Sequence, residues 1–470
     1  MKKIKKFIKY PIQSTNDILM KRLPLSERNK EVLTDELSKL VSNSKSNSLP
    51  TIYIIGFSTW KKFIRKYFKE YNLVFIDKSI SKEQFNRRYR WQIMVNIDRS
   101  QIFIWGYKAP DFIFDFIQKN DIKTYFVEDG FIRSVGLGAT KEPPLSLCLD
   151  SVGPYFDAGK PTDLENLLNS YECNDDLLLR TKDLIDTIKS HRISKYNHSK
   201  KVDVQGIYGE KKGKRILVIG QVEDDASIKH GCISKLTNNE LVKIAAAENP
   251  DAQIIYKVHP DVLNGHRDYL SSPLLVRDIC QVLELDIPLA DALETIDHVY
   301  TMTSLSGFEA LIRGIKVTTI GAPFYSGWGL TDDRQPTVRR KKKLSLEALF
   351  AISYIIYPSY FDAYTGAIIE IEDVIAEIVR LKKVKNIENY GVLPKDVFVI
   401  PQGIYRHYKG SLYQVLHTAQ HSETEEALVV YRCLYGEYGV WVRPLAMFAE
   451  TVIVDGKEIP RFEMIKALAD

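Results

Sequence analysis

Gln253-Ile-Ile-Tyr-Lys257-Val-His259-Pro260-Asp261 and, further on, His298-Val-Tyr-Thr-Met302-Thr-Ser304-Leu-Ser306-Gly307-Phe-Glu309-Ala-Leu311 decide how this chain folds. Each opens on an apolar run short enough for a buried strand. The first run ends at His259, which the pattern puts at a strand's carboxyl end, flanked by Lys257 and Pro260. The second passes through Ser304, Ser306 and Gly307 into a helical pattern. A strand-to-helix turn leaves first-turn N–H groups free, and the dipole there favours negative charge. Glu309 lies one turn in, within reach of ribose hydroxyls. A histidine on one strand end and a helix N-terminus on a neighbouring one predict a site for a phosphorylated, nucleotide-activated ligand, and so a glycosyl-transfer chemistry. His259 as a structural His-Pro and Glu309 as a helix-surface carboxylate are the plainer readings.

Outward from this stretch, strands alternate with helices twice. Strands are expected at 51–56, 73–76, 101–105, 125–127 and 145–149, with helices at 59–71 and 110–120 between them. Helical patterns at 163–168 and 175–189 lead into a polar connection, 195–214. The alternation restarts with strands 215–220, 253–258, 298–302 and 316–320, and closes with helices at 344–357 and 370–384. Such alternation predicts parallel, doubly wound sheets. Two Rossmann-like domains would bind ligand in the cleft beyond their strands' carboxyl ends. After residue 389 short runs rich in Val, Tyr and Trp at 397–400, 411–419, 427–435 and 439–443 predict a small antiparallel β domain. The expected organisation is a basic extension at 1–49, an N-terminal Rossmann-like domain at 50–195, a C-terminal one at 196–388 and an all-β domain at 389–470.

The 470 residues carry a net charge of +5, too mild to predict nucleic acid as a partner. Cys148, Cys173, Cys232, Cys280 and Cys433 are scattered without Cys-x-x-Cys spacing, as expected of reduced thiols in a cytoplasmic chain with neither disulfide framework nor zinc site. No run reaches the length of a membrane span. Ile4, Phe7 and Ile8 fall at helical spacing among five lysines in residues 1–10, a pattern read either as peripheral contact with an anionic membrane or as a solvated tail.

Candidate carboxylates cluster at strand ends. Glu128-Asp129-Gly130 follows the strand at 125–127, where a base or a nucleophile could face a sugar; an Asp-Gly turn is the alternative. Arg133 suits a carboxylate or phosphate. Gly136-x-Gly138 lacks the third glycine of a dinucleotide site. Asp150 ends the strand 145–149 and would converge on Glu128 if the two strands are neighbours, whereas Asp157 reads as a turn residue. Gln221-Val-Glu223-Asp224-Asp225-Ala-Ser227 is either a metal-binding acidic run or a helix cap with Gln221 turned into the cleft; the cap is favoured, and no metal is expected. The loop 321–333 suits a base or sugar as well as it suits a packed turn, and Arg339 to Lys343 reads as a solvated face, with help in holding anionic acceptors or lipids as the alternative.

The strand-end signals at Glu128-Asp129-Gly130, His259-Pro260 and Ser304-x-Ser306 resemble motifs of bacterial sialyltransferases with a GT-B fold. The longer strings resemble the KpsC-type capsule polysaccharide synthesis family: GFSTWKK at 56–62, EDGFIRSVGLG at 128–138, PPLSLCLDSVGPYFDA at 143–158, IGQVEDDAS at 219–227, YKVHPDV at 256–262, TSLSGFEALIRG at 303–314 and PFYSGWGLTDD at 323–333. That resemblance spans roughly residues 50–385. It implies a retaining β-Kdo glycosyltransferase, moving ketodeoxyoctulosonic acid (Kdo) from CMP-β-Kdo to a glycan or glycolipid during capsule assembly and transport, with capsule assembly proteins as partners and the inner-membrane surface as its place of work. His259, Ser304, Ser306 and Glu309 would then hold or activate CMP. Glu128, Asp129 and Asp150 would supply nucleophile and acid/base, and Arg133 and Gln221 would meet the Kdo carboxylate. No cofactor is implied beyond the CMP-sugar donor. Such proteins often carry two modules and this chain one, which implies a single Kdo addition. Other readings are a transferase for another CMP-activated acidic sugar, or a non-catalytic assembly or export factor. The C-terminal part resembles a small bacterial domain of unknown function, with His407, His421, Glu423 and Arg443 in its densest polar strings, and is expected to be a binding or docking module.

Overall fold

The computed structural model describes residues 49–136, 142–197, 202–389, 400–421, 426–454 and 456–467. The basic segment 1–48, Gly138, Glu423 and all but the last residue of the strand expected at 397–400 lie outside them. The chain forms two compact units, one up to residue 382 and one from 383.

The first unit is mixed α/β around two sheets. Strands β1 (Thr51–Ile55), β2 (Asn72–Ile76), β3 (Ser100–Trp105), β4 (Thr124–Asp129) and β5 (Ser146–Asp150) open the first sheet. The second sheet holds β6 (Arg215–Ile219), β7 (Gln253–Lys257), β8 (Gln281–Leu283), β9 (His298–Thr301), β10 (Lys316–Thr319) and β11 (Asp332–Asp333), in the order β11-β10-β9-β6-β7-β8 and parallel throughout. Its central strand β6 is buried along its whole length, as a strand covered by helices on both faces must be.

The first sheet departs from the all-parallel expectation. β5 runs antiparallel to β4, pairing Asp150 with Phe126 and Leu147 with Asp129. A parallel return needs a crossover of a dozen or more residues, usually helical, and the described residues between β4 and β5 hold no helix. The chain then comes back: β12 (Pro358–Phe361) pairs antiparallel with β5, and β13 (Ile368–Ile369) with β12, giving the order β13-β12-β5-β4-β3-β1-β2. Residues 196–388 therefore do not form a self-contained half. One apolar cluster runs from Phe131 and the helix Asp175–Ser190 through β6 and the helix Leu305–Ile312 to Ile378. Phe131, 1% exposed, stacks on Phe324 at 4.7 Å and on Tyr354 at 5.3 Å. Burying such a ring stabilises the fold by about 1.5–3 kcal/mol.

The second unit is an antiparallel sheet in the order β17-β16-β15-β14-β20: β14 (Gly403–His407), β15 (Leu412–Gln420), β16 (Ala427–Cys433), β17 (Val440–Pro444) and β20 (Phe462–Ala467). A two-stranded ribbon of β18 (Thr451–Val454) and β19 (Lys457–Pro460) accompanies it. Val415, Val429, Tyr431, Phe448 and Phe462 form its core. All five cysteines are free. No helix among the described residues is long and apolar enough to cross a membrane.

Candidate active site

The carboxyl ends of β3 and β4 in one sheet and of β6, β7 and β9 in the other open onto one cavity of about 670 Å³, a size suited to a nucleotide-sized ligand. Of the residues singled out from sequence, Glu128, Gln221, Asp224, Lys257, His259, Pro260, Ser304, Ser306 and Glu309 line it.

One end of the cavity is built by local capping. Ser304 caps the helix Leu305–Ile312, its Oγ accepting the Ser306 N–H at 3.2 Å. Gln221, leaving β6, clamps the preceding residue: its Oε1 accepts the Thr303 N–H at 2.9 Å and its Nε2 donates to Thr303 Oγ1 at 3.0 Å. His259 caps the short helix Pro260–Leu263, its Nδ1 accepting the Asp261 N–H at 3.1 Å. The neutral ring therefore carries its proton on Nε2, which is left as a donor. Burial pushes the His259 pKa down; Lys257 adds to this, and Asp261 works against it. Burial and Lys257 both favour the neutral imidazole. Lys257, 6% exposed, is also pulled below the ordinary lysine range by burial, with Asp286 opposing.

The connection between the sheets supplies groups that no motif announced. Ser194, Lys195 and Tyr196 line the cavity. Glu309 Oε1 accepts from Ser194 Oγ at 2.9 Å and from the Lys195 N–H at 3.0 Å, while its buried Oε2 has no hydrogen-bond partner and lies 3.8 Å from Arg313. A half-satisfied buried carboxylate beside an anion cradle is equipped to receive a ligand hydroxyl. Burial works against the charge of Lys195, but Tyr196, Tyr155, Asp129 and Glu128 around it outweigh burial and hold its pKa above the ordinary value. Only the crossing of this polar connection behind the cleft makes it visible, so its composition alone could not reveal it.

Across the cavity, Glu128 faces in from β4. Burial pushes its pKa up to about 7, with Lys61 as the largest opposing influence. Lys61 is 7% exposed, sits against the Trp105 ring and is lowered to about 7, first by burial, against the pull of Asp129 and Glu128. A carboxyl and an amine that both change charge near neutrality are a ready acid/base pair.

Several expected site residues work elsewhere. Asp150 is 1% exposed and stands away from the cavity, because β5 is antiparallel and carries its end back along β4. There it accepts the N–H groups of Val152, Gly153, Asp163 and Leu164 and the hydroxyl of Tyr357 at 2.9 Å, tying the helix Asp163–Ser170 to the sheet. Arg133 is wholly buried and donates to Asp129 Oδ2 at 2.9 Å, Ser134 Oγ at 2.7 Å and the Glu142 carbonyl at 2.9 Å, so it is a structural clamp. Asp129 is its partner, and neither lines the cavity. Glu223 accepts from the Asn238 N–H and from Ser271, joining two loops. Gly307 is a close-approach position: a Cβ there would meet Tyr325 Oη at 2.2 Å. Asp157 takes the turn role read for it, accepting from Tyr107 Oη and from the Gly159 N–H. Arg339 and Arg340 are no solvated face, since both pair with the buried Glu165.

The acidic run resolves into caps with a view of the cavity. Asp225 caps the helix Ala226–Gly231, accepting from the Ser227 N–H at 2.9 Å and its Oγ at 2.7 Å, and it lines the cavity near enough to act on His259. Asp224 beside it pairs with Arg267. In the aromatic loop Tyr325 and Trp328 are packed inside, and Phe324 reaches the cavity wall. Among the described residues no three His, Cys, Asp or Glu group so as to hold a metal ion.

Fold and cavity define a two-sheet α/β protein in which a serine-capped helix N-terminus faces a carboxylate across one cleft. The chain belongs to the capsule polysaccharide biosynthesis protein family, which matches residues 100–360, and residues 403–464 match DUF1653, a family of unknown function. It is 42% identical over 332 residues to the lipopolysaccharide-processing protein LpsZ of Rhizobium meliloti, covering 70% of this chain and 74% of that one. With the capsule polysaccharide modification protein LipA of Neisseria meningitidis serogroup A it shares 36% identity over 363 residues, spanning 76% of this chain but only 50% of LipA. Among solved structures, the β-Kdo 2,4 transferase of Thermosulfurimonas dismutans KpsC matches with 33% identity and a TM-score of 0.62, covering 71% of this chain and 99% of that one. The β-Kdo 2,7 transferase of the same KpsC matches with 32% identity and a TM-score of 0.55 over the same shares.

Proposed function

We propose that this chain is a GT-B glycosyltransferase that moves Kdo from CMP-β-Kdo, with retention, to a glycan or glycolipid acceptor in capsule or related surface-polysaccharide synthesis. The observation that carries the reading is the meeting of two sets of groups in one cleft: His259, Ser304 and Ser306 on one wall, Glu128 on the other. The likeness to two Kdo transferases supports Kdo as the sugar.

The phosphate of CMP sits at the N-terminus of Leu305–Ile312, taking hydrogen bonds from Ser306 and from His259 Nε2, and a ribose hydroxyl donates to Glu309 Oε2. Lys195 and Lys257 offset the charge of phosphate and sugar carboxylate, so the leaving group is stabilised by cations of the chain itself and no metal is required. Retention takes two displacements. The Glu128 carboxylate, on the wall opposite the phosphate, attacks the anomeric carbon, the bond from that carbon to the phosphate oxygen breaks, and CMP leaves with the electron pair. The acceptor hydroxyl then attacks the same carbon from the face that CMP has left, Asp225 on that side takes its proton, and the bond to Glu128 breaks. Asp150 has no part in either step, because it does not line the cavity. The work is cytoplasmic, at the inner-membrane face where capsule assembly partners and lipid-borne acceptors are found.

Incubation with CMP-Kdo and, separately, CMP-sialic acid tests the donor: CMP is released from the first. Mass spectrometry of the trapped chain should find Kdo on Glu128. Release from CMP-sialic acid alone would overturn the Kdo reading, and an adduct elsewhere would reassign the nucleophile.

A further inference from the structure

The sheet of the second unit carries a cluster of rings and cations that nothing in the reaction above employs. His407 and Phe462 pair across β14 and β20 with ring centroids 4.8 Å apart, and Tyr408 lies 4.4 Å from His407. Tyr413 packs on Phe462 at 5.4 Å and its hydroxyl meets that of Tyr435 at 2.7 Å. Phe462 is buried, but Tyr435 is 48% exposed, so the cluster opens to water along one edge. Rings held in this way present the flat, partly wet surface on which sugar C–H faces stack.

Cations surround the same rings. The Arg443 guanidinium lies 5.5 Å from the Phe462 centroid, Arg461 lies 5.9 Å and Lys409 5.6 Å from that of Tyr408. Arg461 pairs with Glu450. Among the described residues neither Arg443 nor Lys409 forms an ion pair with a carboxylate. The positive field registers on the histidine between them: burial lowers the His407 pKa most, and Arg461, Arg443 and Lys409 push it the same way. His407 Nδ1 accepts the Lys409 N–H at 3.3 Å, which leaves Nε2–H as one more donor.

We propose that Lys409, Arg443 and Arg461, set among the rings of His407, Tyr408 and Tyr435, form a binding face for a carboxylate-bearing glycan. The forked guanidinium matches a carboxylate in two parallel hydrogen bonds, and the rings take the sugar beside it. A nucleic acid would use the same chemistry, but residues 403–467 hold seven Lys and Arg against eight Asp and Glu. Nucleic-acid binding draws on a domain-wide positive charge, which this unit lacks. The proposal does not rest on the reaction assigned to the cleft, and its test measures binding without turnover.

The full chain is titrated at physiological salt with oligogalacturonate, with its methyl ester, and with a single-stranded RNA of similar length. Oligogalacturonate binds, and esterification weakens it by at least about tenfold, the loss expected when charge-assisted hydrogen bonds go. Lys409→Ala/Arg443→Gln weakens binding to a similar extent, while Glu128→Gln in the cleft leaves it unchanged. Lys409 is exposed, so Lys409→Ala alone, with about a threefold loss, keeps the test in force if the double variant does not fold. No binding of oligogalacturonate, equal binding of the ester, an unaffected Lys409→Ala chain, loss in the Glu128→Gln chain, or preference for RNA would each overturn the proposal.

Discussion

Gln221 grips Thr303 with both ends of its amide, accepting from the backbone N–H at 2.9 Å and donating to the hydroxyl at 3.0 Å. This pair joins the end of β6 to the residue that precedes the helix cap Ser304, so it sets where the anion cradle sits. Gln221→Ala leaves the half-buried Thr303 N–H without its acceptor, at a cost of about 1 kcal/mol. Donor turnover should fall by about tenfold to a hundredfold through misplacement of the cradle. Chemical denaturation and steady-state kinetics check both, and an unaltered KM and kcat would remove Gln221 from this role.

His259 has two separable tasks, cap through Nδ1 and donor through Nε2. His259→Asn retains a cap acceptor but cannot reach the phosphate, so it should be as stable as the parent and nearly inactive. His259→Gln reaches as a donor but caps poorly, and should lose about 1 kcal/mol of stability while keeping part of the activity. Thermal melts beside CMP-release assays distinguish the two; the reverse ranking would show that the ring does not touch the donor.

Glu128 titrates near pH 7, and its base form is present above that value. Transfer should therefore rise with pH through about 7, and Glu128→Gln should abolish that limb of the profile. Lys61→Met removes the strongest opposing charge, which should move the limb to higher pH. The sign for stability follows from proton counts. The folded pKa of Glu128 lies above its ordinary 4.5, so its contribution is present below about 4.5 and is lost as pH rises to about 7. For Lys61, lowered from 10.5 to about 7, the unfolded chain binds more protons in that window and stability rises with pH across it. Urea melts across both windows should show opposite slopes, each flattened in the matching variant; a profile unmoved by Lys61→Met would dissolve the pair.

Asp150 should behave as a structural residue. Asp150→Ala leaves four N–H groups and the Tyr357 hydroxyl without their acceptor. A loss of about 3 kcal/mol or more is expected. The specific activity of the fraction that stays folded should match the parent; a stable but inactive protein would return Asp150 to the reaction.

Arg340 donates to the carbonyls of Pro323 and Ser326 and to Glu165 Oε2 at 3.1 Å, and so holds the loop that brings Phe324 to the cavity. Arg340→Ala leaves Glu165 buried and its charge half-compensated, at a cost of about 3–5 kcal/mol. The melting temperature should fall sharply, with donor KM rising in whatever remains folded.

Local rules were written plainly in this chain. The apolar run before His259, and the hydroxyls and glycine before Phe308, follow from strand burial, free first-turn N–H groups and capping, all of which act within a few residues. Hence the strand ends, the start of a helix at Ser304 and the alternation of elements could be read directly, as could the change to an antiparallel β unit near the C-terminus. What depended on pairing could not. The direction of β5 is decided by how the chain returns from Gly130 to Ser146, and that direction removes Asp150 from the cleft. The return of β12 to the first sheet and the passage of Lys195 behind Glu309 are contacts between residues more than a hundred positions apart. Side-chain order along a strand is local chemistry, but which strand lies beside it is a property of the whole core. The strand ends and the helix cap at Ser304 were thus determined by sequence alone, while tertiary structure decided which carboxylates face them.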